Sequence, residues 1–274
     1  MALSSRTGKR HAHMVDDPLR TGPLVRAVAK SVKPGDVVLD IGTGLGLLAI
    51  AAAKAGAKLV WAVDFDSEAL DEAKLNARRE GVSDKIAFVN GLSFDLDLAA
   101  RADIAICETV GSFAFDENIL ATLADAKKRL LKRGGRIIPE RLELWGAPCC
   151  RLPKIDRPAD IASVKGMDLM GPPSRIVAVD FQKKIPESIQ VEHEFRCERS
   201  GAVRVFAVWP RTTWGRGEAT DSSPLVAPTH WKQGILPVEM RQVTQGDSAG
   251  LELIIKPHPD DPLKMTERLW RWVD

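Results

Sequence analysis

The sequence predicts an α/β protein in two parts, a doubly wound parallel sheet followed by an antiparallel β-barrel or sandwich. Three observations carry that reading. Residues 37–64, VVLDIGTGLGLLAIAAAKAGAKLVWAVD, read as strand, glycine turn, helix and strand. Further strands and helices alternate as far as about residue 138, the order of a sheet with helices on both faces. Past Ile138 and Pro139 the chain changes to short strands broken by prolines and glycines.

In the first stretch, Val37, Val38 and Leu39 form an apolar run too continuous for a strand with one wet face. They fit a parallel strand covered on both sides and ending at Asp40. Gly42, Gly44 and Gly46 follow at alternate positions, where missing side chains permit positive φ and let a ligand lie against the main chain. The helix Leu47–Ala55 starts directly after and offers free N–H groups at its start, with Gly56 as its left-handed cap. The usual dinucleotide fingerprint has its third glycine one position later, where this chain has Leu47. The Gly-x-Gly-x-Gly spacing therefore favours S-adenosylmethionine (SAM) over NAD. The second strand, Leu59–Val63, delivers Asp64 to the place where an acid would hold two ribose hydroxyls.

A chain of 274 residues with 45% hydrophobic content can build one large or two ordinary cores. The net charge of +2, from 39 basic and 37 acidic residues, gives no broad basic face, so nucleic acid is not an expected partner. Cys107, Cys149, Cys150 and Cys197 lack paired metal spacing and read as reduced thiols. His11 and His13 have no further ligand cluster beside them, so no metal is expected. The opening MALSSRTGKRHAH has no apolar segment, and no run approaches a membrane span, so a soluble, cytoplasmic protein is expected.

Along the chain, a helix is expected to open at Pro23 and turn Leu24, Val25, Val28 and Val32 toward the sheet. Asp66 or Ser67 caps the next helix, which Gly81 ends. Lys85–Val89 and Ile104–Cys107 read as two more buried strands. Glu108–Leu120, ETVGSFAFDENIL, then lies at the carboxyl end of the last strand, the rim where open parallel sheets bind ligands. Asp116 is expected to cap a helix carrying Ile119, Leu123, Ala126 and Leu130 and closed by Gly134 and Gly135, with Glu117 in its first turn.

Beyond that helix, candidate strands are Leu142–Ala147, Ile176–Phe181, Ile189–Arg196, Ala202–Trp209, Trp231–Val238, Leu251–Ile255 and Leu269–Val273. Residues 156–174 read as a short helix with a proline stop, an inserted arm.

These stretches together resemble the protein arginine methyltransferases, a class I SAM-dependent family with a Rossmann-like domain followed by a β-barrel. The family's His-x-x-Met-x-x-Asp-x-x-Arg segment appears as His11, Met14, Asp17 and Arg20. The glycine turn and its acid appear as Asp40, Gly42, Gly44, Gly46 and Asp64. The double-glutamate loop is matched by Glu108 and Glu117 with Gly111 between, and the Thr-His-Trp loop by Thr229, His230 and Trp231. Gly134, Gly135 and Pro139 fall where the family joins its two domains. The resemblance implies a segment 1–22 covering the SAM site, a SAM-binding domain at 23–140 and a barrel at 141–274, with a homodimerising arm near 156–174.

The chain also departs from the family. It has no tyrosine for the N-terminal aromatic motif, and Thr109 and Ser112 stand where aromatic residues are usual. Ile119 replaces a second methionine. Asp95, beside Phe94, is the acid next to the position that serves adenine.

The chemistry accounts for the combination. A guanidinium carries five donors, no acceptor and a permanent charge, so it enters a cleft only against anionic acceptors. Glu108 and Glu117 would supply them and bias electron density toward one terminal nitrogen. The resemblance implies that His230 pairs with Asp17 and passes a proton outward, that Arg20 holds the SAM carboxylate, and that Trp231 adjoins the substrate. The expected reaction is N-methylation of arginine in a protein or peptide. Methylation of free arginine or another small guanidino compound stays open, as does a SAM-binding scaffold without turnover.

Overall fold

The computed structural model describes residues 16–153, 161–258, 261 and 263–273. Helix α1 (Pro18–Ser31) opens at Pro18 and holds Pro23, the expected opening, within its body. The reason lies in Asp17, whose carboxylate accepts the N–H groups of Leu19 (3.0 Å) and Arg20 (3.3 Å) and so caps the helix early. Pro23 cannot donate to the carbonyl of Leu19, and that oxygen instead accepts the hydroxyl of Thr220 (3.4 Å).

Five parallel strands follow, β1 (Val37–Ile41), β2 (Leu59–Asp64), β3 (Ile86–Asn90), β4 (Ala102–Cys107) and β5 (Leu131–Ile138), in the order β3-β2-β1-β4-β5. They alternate with α2 (Leu47–Lys54), α3 (Ser67–Arg79) and α4 (Ile119–Arg129). The order reverses between β1 and β4, where Ile41 lies beside Cys107. The glycine turn after β1 and the glutamate loop after β4 therefore share the switch point at which such sheets bind ligands.

Two expectations fail at α4. Its start is Asn118, in left-handed conformation with φ 58° and without a side-chain cap, while Asp116 is buried and turned to Arg268. Its end is Arg129, and Gly134 and Gly135 belong to β5. There Ala102 pairs with Leu131 but Ile104 with Arg136, so residues 132–135 bulge from the ladder, with Gly134 at φ 77°. The glycines serve a bulge in a strand, and the polar middle of β5, Lys132 and Arg133, hides that strand from hydropathy patterning.

The antiparallel part comprises β6 (Arg141–Cys149), β7 (Ile161–Ala162), β8 (Ser174–Asp180), β9 (Ile189–Arg196), β10 (Gly201–Gly215), β11 (Glu218–Asp221), β12 (Gln233–Val243), β13 (Ser248–Lys256) and β14 (Glu267–Val273). One sheet runs β7-β12-β10-β6-β8 with β11 on β10, and the other runs β14-β13-β9. β8 lies against β9, β12 lies against β14, and Trp270 donates its indole N–H to the Pro237 carbonyl (2.8 Å), so the two sheets close as a barrel. Phe181, Phe195, Phe206 and Trp214 are among its fully buried side chains.

The expected short helix at 156–174 is not what the described part of that segment forms. Residues 154–160 lie outside the described residues, Ile161–Ala162 is strand β7 paired with β12, and Gly166–Asp168 is a single 3-10 turn.

Candidate active site

The turn after β1 needs glycine for two separate reasons. Gly42, Gly44 and Gly46 all have positive φ (72°, 52° and 81°). At Gly46 a Cβ would also lie 3.0 Å from that of Ala73 on α3, whereas nothing lies within 4 Å of the corresponding point at Gly44.

Two acids fix this turn from opposite sides. Asp40 is only 1% exposed, and its Oδ2 accepts the Thr43 hydroxyl (2.6 Å) from beneath. Burial pushes its carboxyl up to about 7, against the pull of the Thr43 and Ala49 hydrogen bonds and with some help from Asp64. Asp40 thus braces the loop and does not line the cavity above it. Asp64 does line that cavity, with Oδ2 accepting the Gly44 N–H (2.7 Å) and Oδ1 the Asp66 N–H (3.0 Å).

The cavity holds about 400 Å³, within the range of small-molecule sites. Ile41 and Gly42 form one end, Asp64 and Phe65 follow, and Gly91–Phe94 close another side. Thr109 and Glu117 enter from the glutamate loop, Thr122 from α4, and Leu263–Met265 from the connection between β13 and β14. Asp95 is exposed and lies off the cavity, which Ser93 and Phe94 line in its place. His11 and Met14 lie outside the described residues.

Glu108 and Glu117 both act on one guanidinium, the first by a direct bond and the second from further off. Arg20 is buried and bonds Glu108 Oε2 through Nη2, while Asp17 and Glu117 add attraction at longer range. Burial nevertheless pulls Arg20 down to about 10. Glu117 is open to water inside the cavity but enclosed by protein on its other sides. That enclosure, and then neighbouring Asp116, push its carboxyl up to about 7, with Arg20 opposing.

Beside this group, Asp17 Oδ2 accepts both the backbone N–H of His230 (2.9 Å) and a hydrogen bond with its Nδ1 (3.1 Å). The pairing expected of these residues is present. Trp231 adjoins the same group, with the Arg20 guanidinium 5.9 Å from its ring centroid. It is buried, lies against His230 (4.4 Å between ring centroids) and stacks on Trp214 (6.5 Å). Its indole N–H donates to the Val110 carbonyl, and its own carbonyl accepts the Ser112 hydroxyl, so it steadies the glutamate loop from behind.

That loop has further supports that the sequence does not announce. A Cβ on Gly111 would lie 2.0 Å from Asp116 Oδ1, so the two segments touch only because residue 111 has no side chain. Asp116 accepts from Arg268 (3.3 Å), and that guanidinium lies 3.8 Å from the centroid of the Phe113 ring. Asn118 exchanges two hydrogen bonds with the His258 backbone, both 3.0 Å, and Thr266 N–H donates to the Asp116 carbonyl (2.9 Å). These partners come from 140 to 152 residues away, and no local pattern marks them.

The donor set fits SAM. The Gly44 position is open to a ligand, Asp64 presents a carboxylate to the cavity, and Arg20 supplies a cation at the glutamate rim.

The strand order and the site at its switch point place the first part of the chain among the Rossmann-like methyltransferases. Residues 21–140 match the model of the ribosomal protein L11 methyltransferase (PrmA), and residues 150–270 match the arginine methyltransferase oligomerization subdomain. Protein arginine N-methyltransferase 6 of Danio rerio is 28% identical over 263 residues, covering 82% of this chain and 75% of that one. Probable protein arginine N-methyltransferase 6 of Arabidopsis thaliana is 32% identical over 186 residues, covering 67% of this chain and 42% of the relative.

Solved structures agree in fold. The Trypanosoma brucei PRMT1 enzyme-prozyme complex with AdoHcy superposes with a TM-score of 0.81 at 21% identity, over 97% of this chain and 98% of the other. Arabidopsis thaliana protein arginine methyltransferase 10 gives 0.80 at 19%, over 99% of each. The two matched models together span most of the chain and, with these relatives, support its membership of the protein arginine methyltransferase family.

Proposed function

We propose that the protein transfers a methyl group from SAM to a guanidinium nitrogen of arginine in a protein or peptide. The observation that carries this reading is a pair of carboxylates acting on one guanidinium, that of Arg20: Glu108 bonds it directly, and Glu117, which lines the cavity over the glycine turn, attracts it at longer range. An arrangement that already gathers two carboxylates about one guanidinium has the chemistry to receive another.

When bound, SAM would supply a methyl group on a positively charged sulfur. Asp64 and the open main chain at Gly44 would hold the nucleoside, and Arg20 the amino-acid carboxylate. Glu108 and Glu117 accept N–H bonds from the acceptor and concentrate its electron pair on one terminal nitrogen. They also offset the repulsion between two cations held close together. The nitrogen then sheds a proton, for which the site offers Glu117, near neutrality, and the His230–Asp17 pair.

Incubation of the pure protein with methyl-labelled SAM, arginine-rich peptides and free arginine tests this. Label on the peptide supports the proposal, and tight SAM binding without transfer to either acceptor overturns it. Label confined to free arginine supports a second reading, favoured by the Arginine N(omega)-methyltransferase of Streptomyces achromogenes subsp. streptozoticus, 26% identical over 89% of this chain.

Domain limits of 23–140 and 141–274 are proposed on the change from parallel to antiparallel sheet between Ile138 and Arg141. A homodimer is proposed on the matched oligomerization model. A cytoplasmic setting is supported by four free cysteines. No helix among the described residues is long and apolar enough to cross a membrane.

A further inference from the structure

Three large apolar side chains that stand in water face the same cavity. Phe65 is 62% exposed, Leu263 56% and Met265 53%, and all three line the space over the glycine turn. Isolated exposed apolar residues need no explanation, but several gathered in one concavity beside a nucleotide-type acid mark a surface that a ligand covers.

The two contributing segments are held in place. Phe65 follows Asp64 directly, and the Asn90 side-chain amide donates to the carbonyls of both (3.2 and 3.0 Å). On the other side, Lys264 N–H donates to the Asp261 carbonyl (3.0 Å), and Thr266 accepts the Asn118 N–H on its hydroxyl (3.1 Å) while donating its own N–H to Asp116. Asp116 and Asn118 flank Glu117, so the β13–β14 connection is fastened to the backbone on either side of that carboxylate.

We propose that Leu263 and Met265, with Phe65, form an apolar wall that determines affinity for the adenosyl group of the methyl donor. The inference rests on SAM being that donor. An adenosyl group is a flat heteroaromatic ring with apolar faces joined to a sulfur chain. A thioether and two hydrocarbon side chains suit such faces, and the unbranched Met265 adjusts to fill the gap. The C-terminal hairpin thereby takes part in donor binding, although it lies some 200 residues along the chain from Phe65.

The test is calorimetry on the intact protein and on Leu263→Ser/Met265→Ser, with S-adenosylhomocysteine and 5′-methylthioadenosine as probes. Both probes should bind the double variant about ten-fold or more weakly than wild type, because the adenosyl group of each then rests on less apolar surface. Its melting temperature should stay unchanged and its acceptor KM unaltered. Unchanged probe affinity overturns the proposal, and so does a raised acceptor KM with probe affinity intact, which puts the wall on the acceptor side. If the double variant melts early, Phe65→Ser carries the same measurement. Asp64→Ala separates the inference from its foundation. Failure of wild type to bind either probe removes the donor reading and the wall together, whereas binding lost in Asp64→Ala but kept in the double variant removes the wall alone.

Discussion

Asp17 holds helix α1 with one carboxylate oxygen and His230 with the other. Oδ1 accepts the N–H groups of Leu19 and Arg20, and Oδ2 accepts from the backbone and ring of His230. The helix cap and the histidine's orientation are therefore one feature, and Arg20 is positioned by the same turn.

The first prediction follows from those two duties. Asp17→Ala should lower stability by about 1 kcal/mol through the missing cap and also reduce turnover. Asp17→Asn keeps a capping oxygen but turns an NH2 donor toward the His230 backbone N–H, so it should also melt below wild type at neutral pH, with turnover reduced because the ring loses its anionic partner. Burial pushes the Asp17 carboxyl up, but hydrogen bonds from His230, Arg20 and Leu19 outweigh it and leave the group below its usual value. Its contribution to stability is then complete above about pH 4 and is lost as pH falls through the lowered value. Melting temperatures across the acid range should fall less steeply in Asp17→Asn, and parallel curves would refute this.

The second prediction concerns Glu117, raised to about 7 by burial and by Asp116. A cationic acceptor binds its ionised form, so acceptor KM should fall as pH rises through about 7, and Glu117→Gln should abolish that dependence along with most turnover. Stability runs in the opposite sense. The folded state keeps this proton between the ordinary carboxylate range and about 7, so it loses stability as pH rises across that window. Glu117→Gln should accordingly gain melting temperature relative to wild type at pH 8 and not at pH 4. An unchanged pH profile of KM in the variant would falsify the assignment.

The legible parts of this site are those written into a short run of residues. The glycine turn, Asp64, the glutamate pair and the strands before them can be read because each lies within a few residues of the element that positions it. Asp17 with His230 is legible only through family resemblance, since 213 positions separate them. The supports of the glutamate loop cannot be read at all. Arg268, Thr266 and His258 reach it by barrel closure, and in the sequence they look like ordinary strand and turn residues. Asp116 misleads for a physical reason: an acid just before a helix resembles a cap until a distant arginine is seen to hold it.

The third prediction separates the two acids around the turn. Asp40 is buried with its carboxyl raised to about 7 and reaches the Thr43 hydroxyl, whereas Asp64 faces the cavity. Asp40→Asn retains an acceptor for Thr43 and removes a charge that burial penalises, so S-adenosylhomocysteine affinity should stay within about two-fold of wild type. Its melting temperature should exceed that of wild type above about pH 7, where the native carboxylate must ionise. Asp64→Ala should lose most of that affinity. Equal losses in the two variants, measured by calorimetry, would make Asp40 a ligand contact and not a brace.

The last prediction tests whether the glutamate loop works as a rigid unit. A methyl group at residue 111 would stand 2.0 Å from Asp116 Oδ1 and 2.3 Å from its Cγ. Asp116 has little freedom to yield, being buried, bonded to Arg268 and close to Asn118, which is itself tied to His258. Gly111→Ala must therefore shift the backbone between Glu108 and Glu117, at a cost of about 1–3 kcal/mol for a methyl forced into packed surroundings. Turnover should fall about ten-fold or more, because small misplacements of groups that orient a reacting nitrogen are expensive. Asp64 and the glycine turn stand on β1 and β2, outside the shifted loop, so S-adenosylhomocysteine affinity should fall much less. A variant with wild-type melting temperature and full turnover would show that the loop absorbs the methyl elsewhere, and that the contact between residues 111 and 116 does not set the separation of the two glutamates.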